Sequence, residues 1–140
     1  RLIPKQISAL WEYIKFAVSK SEGLDEKQYS PYFNHLLYRL LNGKYQCFVR
    51  LNDDRSIQTI CIIKFNKDSI LDEKSLSIVS IYSFEPSQND VWKESLKFVG
   101  QFAHSEGCKT ITASSSVERV WELCHAVGFK EKSRTFVIDL

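Results

Sequence analysis

A chain of 140 residues, 44% hydrophobic and 26% charged, has the size and balance of one globular domain around a single core. Its 19 basic and 17 acidic residues are scattered and sum to +2, so no face is forced to attract a nucleic-acid backbone or an anionic bilayer, and neither is an expected partner. The longest unbroken apolar run, Ile60 to Ile63, is far too short to cross a membrane, and the first residues do not spell a charged-then-apolar leader, so a cytoplasmic protein is expected.

Ile7, Leu10, Trp11, Ile14, Ala17 and Val18 recur at three-and-four spacing, which predicts one helix from Pro4 to a stop at Gly23. After a connector over Asp25–Tyr29, Ser30 and Pro31 read as cap and first turn of a second helix, with the stripe Phe33, Leu36, Leu37 and Leu40 and a stop at Gly43. The period then changes to two. Tyr45, Cys47, Val49 and Leu51, then Ile57, Thr59, Cys61, Ile63 and Phe65, predict an antiparallel hairpin about a turn at Asn52–Arg55.

A polar loop leads to a third strand, Ser75–Phe84, whose apolar phase slips: Leu76 and Ile78 share one parity, Val79 and Ile81 the other. Such a strand is either buried on both faces or carries a bulge. Asp90 then caps a long helix ending at Gly107, followed by a short strand, Thr110–Ala113. Ser115-x-x-Glu118 spells a capping box before a helix with Val117, Val120, Trp121, Cys124 and Val127 on one face. Gly128 ends it, and Thr135–Leu140 is predicted as a last strand.

The order α-α-β-β-β-α-β-α-β specifies an α/β (α+β) fold: a mixed twisted sheet with helices on both faces, antiparallel hairpins first and a right-handed crossover later. Cys47, Cys61, Cys108 and Cys124 lie far apart without a Cys-x-x-Cys pair, so neither a metal site nor a disulfide framework is expected.

This order, with Glu106-Gly107-Cys108-Lys109-Thr110-Ile111 after the long helix and Ala126-Val127-Gly128-Phe129-Lys130-Glu131 after the last, resembles the GCN5-related N-acetyltransferase superfamily from Leu2 to Leu140. The resemblance implies an acetyl-CoA-dependent N-acetyltransferase acting on a small-molecule or peptide amine, and a homodimer joined through sheet edges or the C-terminal strand. It also implies a bulged central strand splayed from its neighbour to admit the pantetheine arm, with Ile81, Ser83 and Phe84 beside it. The pyrophosphate loop of that family, Arg/Gln-x-x-Gly-x-Gly/Ala, falls on Ser87, Gln88, Asn89, Asp90, Val91 and Trp92. Both glycines are absent. Trp92 puts an indole where backbone should approach phosphate, and Asp90 sets a negative charge at an anion-binding helix start.

Cys124 stands where the family often has a tyrosine that protonates the leaving thiolate; its plainer role is as an apolar member of the helix stripe. Glu85 is the carboxylate placed as base, with Tyr82 or a water chain as substitutes; its plainer role is a solvated residue before Pro86. Ser116 and its neighbours are candidates for a cofactor contact, or simply for capping the next helix. The competing reading is a non-catalytic binding or structural module of the same fold, like some in phage and prophage genomes, that has lost or altered coenzyme A binding.

Overall fold

The computed structural model describes residues 2–22, 24, 26–85, 89–115 and 117–140. The predicted first helix is broken into α1 (Pro4–Ala9) and α2 (Trp11–Glu22), because the backbone of Leu10 leaves helical geometry. Pro4 fits the first turn, where its missing N–H costs nothing, and the Ile3 N–H is satisfied by Gln6 Oε1 at 3.0 Å.

The second predicted helix starts early. α3 spans Glu26–Leu41 and holds Pro31 inside it, so Ser30 and Pro31 are not its cap and first turn. Glu26, Lys27 and Gln28 are good helix formers, and their propensity carries the helix back past the proline despite one forfeited backbone bond.

Strands β1 (Tyr45–Leu51), β2 (Ile57–Lys67), β3 (Lys74–Ser83) and β4 (Thr110–Ala113) form one sheet in the order β1-β2-β3-β4. The first two pairings are antiparallel; β3 and β4 are parallel, joined through α4 (Asn89–Ser105). The turn between β1 and β2 is closed by Asn52, whose N–H donates to the Ser56 carbonyl at 2.9 Å, with Arg55 at φ 70°.

The period-two alternation sorts residues onto two faces. Cys47, Ile60 and Ile62 pack with Ile7, Ile14 and Val18 under α1–α3, whereas Cys61, Ile63 and Leu76 pack with Val99 and Ala103 of α4. The phase slip is resolved as a bulge. Ile62 pairs with Ser80 and Ile63 with Ile78, leaving Val79 without an opposite residue. Leu76, Ile78 and Ile81 therefore all face α4, while Val79, Tyr82 and Phe84 face the N-terminal helices.

The end of the chain departs from expectation. α5 (Glu118–Val127) stops at Gly128, whose φ of 105° suits a residue without a side chain, but the predicted strand Thr135–Leu140 does not form. Its β-branched and aromatic residues favour extension, yet a strand exists only against a partner edge, and among the described residues the tail pairs with none, the edge of β4 included. The capping box also fails: Val117 is the cap residue of α5, and Ser115 Oγ accepts the Val117 N–H instead, at 3.0 Å. Among the described residues no helix is long and apolar enough to cross a membrane.

Candidate functional site

The site follows from unequal strand lengths. β3 and β4 pair only from Ser75 with Thr110 to Ile78 with Ala113. β4 then ends and the chain turns through Ser114 and Ser115 towards α5, while β3 runs on to Ser83. Beyond Ile78, the edge of β3 that faces away from β2 has no strand beside it among the described residues, which leaves its backbone polar groups available.

A cavity of about 420 Å³ opens at this point. Ile78 and Ile81 of β3, Trp92 and Val99 of α4, and Leu123 and Cys124 of α5 contribute to its wall. The volume falls in the range of small-ligand sites, and the wall is mainly apolar with few polar groups, as such sites generally are. The bulge at Val79 is what aims Ile78 and Ile81 into the same cavity; with regular alternation they would point to opposite faces.

The structure brings together Ile81, Trp92 and Cys124 among the residues singled out from sequence. Burial pushes the Cys124 thiol above its ordinary value, so it holds its proton at neutral pH rather than standing as a thiolate. Trp92, in the second predicted glycine position, is half-buried and contributes its indole to the wall.

Other predicted residues are placed elsewhere. Tyr82 and Phe84 sit on the opposite face, with ring centroids 5.9 and 5.8 Å from that of Phe16 in α2. Ser83 Oγ donates to the Glu85 carbonyl at 2.6 Å, and Glu85 Oε1 accepts a hydrogen bond from Asn52 Nδ2 at 2.8 Å, tying the end of β3 to the hairpin turn. None of these four contributes to the cavity wall. Asn89, Asp90 and Val91 form the opening turn of α4. Ser87, Gln88 and Ser116 lie outside the described residues.

Two features of the site escape sequence reasoning. Arg50 of β1 reaches across to α4, donating to Ser95 Oγ at 3.0 Å and pairing with Glu94 Oε2 at 3.4 Å. Glu22, the last residue of α2, also reaches the cavity, and burial raises its carboxyl above the usual range. The only sequence signal for Glu22 is an acidic side chain at a helix C-terminus, where the backbone dipole disfavours it. Beside it, Ser21 and Ser80 are buried and share a hydrogen bond between their hydroxyls, which fixes the end of α2 to the bulged part of β3.

No family model matches the chain, and no curated protein does. Solved structures do match. The aminoglycoside 6'-N-acetyltransferase AAC(6')-Ih from Acinetobacter baumannii superposes with a TM-score of 0.72 at 8% identity, over 94% of this chain and 92% of that one. An aminoglycoside acetyltransferase from an uncultured soil metagenomic sample gives 0.70 at 15% identity, over 99% and 95%. The aminoglycoside N-acetyltransferase AAC(6')-Iy in complex with coenzyme A gives 0.68 at 14% identity, over 95% and 90%. Identities this low speak for architecture rather than for activity. With its bulged, splayed sheet and near-complete superposition on these enzymes, the chain has the fold of the GCN5-related N-acetyltransferases.

Proposed function

We propose that this protein transfers an acetyl group from acetyl-CoA to an amine. The observation that carries the reading is the gap beyond Ile78, where β3 outruns β4 and exposes an unpaired strand edge beside an apolar cavity. That edge fits the donor's pantetheine arm, whose amides can pair with backbone as a short extra strand would. The backbone of β3 around Ile81 lies where an N–H can polarise the thioester carbonyl. The coenzyme A bound by the AAC(6')-Iy enzyme of the same fold supports this choice of donor.

The phosphates fall to the start of α4. Without glycines there, the helix N-terminus can still offer N–H groups, and the indole of Trp92 fills space in the cavity wall that a glycine would leave open. In the transfer, the amine nitrogen forms a bond to the carbonyl carbon, the carbon–sulfur bond breaks, and the thiolate takes the proton held by Cys124. The amine's surplus proton leaves through water, since Glu85 and Tyr82 stand off the cavity wall. All four cysteines are free, which suits a reducing cytoplasm.

A second copy of the chain completes the picture. Phe136, Val137 and Ile138 are 89%, 79% and 86% exposed, and β4 is an edge strand of the sheet among the described residues. An apolar extended tail and an open edge are complementary between protomers, so the protein works as a homodimer. Sedimentation of the intact chain should give a dimer, and removal of residues 134–140 a monomer; a monomer in both refutes this part.

The transferase reading is tested by calorimetry and thermal melting with acetyl-CoA. At a hundred times the dissociation constant a ligand stabilises the fold by about 2.7 kcal/mol, enough to move the melting point by several degrees. No heat and no shift at millimolar acetyl-CoA would leave the non-catalytic module standing instead.

A further inference from the structure

Among the described residues, the charged ones in the cavity wall are Glu22, Arg50 and Glu94. Arg50 and Glu94 pair with each other at 3.4 Å. Glu22 is left over. Its carboxylate has no hydrogen-bond or ion-pair partner among the described residues, and its one close electrostatic neighbour is the phenol of Tyr32, which is uncharged at neutral pH.

Three independent facts make that arrangement costly. The carboxylate is half-buried, it stands at the C-terminal end of α2 where unpaired carbonyls already repel a negative charge, and among the described residues no cation pairs with it. Ser21 next to it is committed to Ser80 and offers no relief. A group held against its own stability at the wall of a cavity is a mark of binding rather than of folding. The wall away from the β3 edge that the donor occupies describes the body of what is bound: Phe48, Val49 and Phe98 form a hydrophobic lining.

We infer that Glu22 receives the ammonium group of the acceptor, and that the acceptor is a monocationic amine with an apolar body, of the arylalkylamine or alkylamine kind. This rests on the acetyl-transfer reading and narrows it. One uncompensated carboxylate neutralises one ammonium. A polycationic aminoglycoside would bring further charges against apolar walls with no carboxylate to meet them, and each desolvated, unpaired charge opposes binding strongly. Glu22 thus acts as a specificity determinant that orients the amine.

The test uses the intact protein with 2-phenylethylamine and kanamycin as acceptors. Acetylated product is followed by chromatography, and amine binding is followed by calorimetry without acetyl-CoA. Phenylethylamine should bind and be acetylated with a kcat/KM at least about tenfold above that of kanamycin. Glu22→Gln should raise its KM or Kd on the order of tenfold or more, the usual cost of removing one partner of a desolvated ion pair. It should leave acetyl-CoA affinity unchanged and raise Tm at pH 7, and Glu22→Asp should recover part of the amine affinity. A merely structural glutamate would instead lower Tm and leave KM alone. The two readings fail separately. Amine binding that is lost in Glu22→Gln upholds the site even if no acetyl group is transferred. Acetyl-CoA binding with equal KM for wild type and Glu22→Gln, or preference for kanamycin, overturns it.

Discussion

The two ends of this molecule are built to different standards. In the N-terminal part, α1–α3 and the first three strands bury Ile7, Ile14, Ile62 and Leu76 to 2% exposure or less, and β2 is covered on both faces. In the C-terminal part, α5 has no buried residue, and the tail beyond Gly128 leaves its apolar side chains in solvent. The difference is physical rather than compositional, since both parts carry apolar stripes at the right spacing. A stripe is buried only where another surface meets it. Here the surface that would meet α5 is replaced by a cavity, and the tail does not pair with the open edge of β4.

The sharpest way to break this comparison is to cut cavities in both parts. Ile62→Ala should cost about 2–5 kcal/mol in urea unfolding, while Leu123→Ala on α5 should cost less than about 1 kcal/mol. Equal losses would mean that the last helix is packed as firmly as the central strand. Amide exchange should agree, with β2 protected to the level of global unfolding and α5 opening far more readily.

Next in size is the chemistry at the open end. Cys124→Ala should lower kcat by at least about tenfold without changing the affinity for acetyl-CoA, as expected for loss of a proton donor. An unchanged kcat would return Cys124 to the helix stripe.

Thiol labelling sharpens the contrast at the level of single residues. Burial pushes the Cys47 thiol up to about 12, whereas Cys124 is half-buried beside the cavity. Cys124 should therefore react well before Cys47 in the folded protein, and acetyl-CoA should protect it. Simultaneous labelling would deny the difference between the two ends.

The smallest effect concerns pH. Burial raises the Glu22 carboxyl, so its ionised form is penalised in the folded state. The contribution of Glu22 is then fully present below its unfolded value, about 4.3, and is lost as pH rises through the folded value. Wild type should be less stable than Glu22→Gln at pH 7, and the gap should close on acidification to roughly pH 4. A gap that widened in acid would reverse the sign of the argument.

Much of this architecture was legible in the residues. Period-three-and-four and period-two spacing located the helices and the hairpin, and the glycines at 43, 107 and 128, all with positive φ, marked helix ends where only a residue without a side chain rests easily. The parity slip between Ile78 and Val79 left burial on both faces or a bulge as alternatives, and the register shift in the β2–β3 pairing selects the bulge. Errors came where local propensity met a competing demand. Pro31 read as a helix start, but the helix-forming residues before it outweighed one lost bond; Phe136, Val137 and Ile138 read as a strand, yet the tail pairs with no sheet edge among the described residues.

The site was legible only in part, for a related reason. A motif and a helix stripe fixed the positions of Trp92 and Cys124, and the strand that of Ile81, and all three line the cavity. Tyr82 and Phe84 face α2 rather than the cavity, because the one extra residue of the bulge inverts the alternation after it. Sequence alone therefore determined which segments are helix or strand, where most of them stop, and that the third strand is irregular, because these are decided by neighbours a few residues away. Which strand outruns which, that Arg50 is answered by Glu94, and that Glu22 faces the cavity were decided by tertiary packing, because each depends on groups that meet only after distant segments have been brought together.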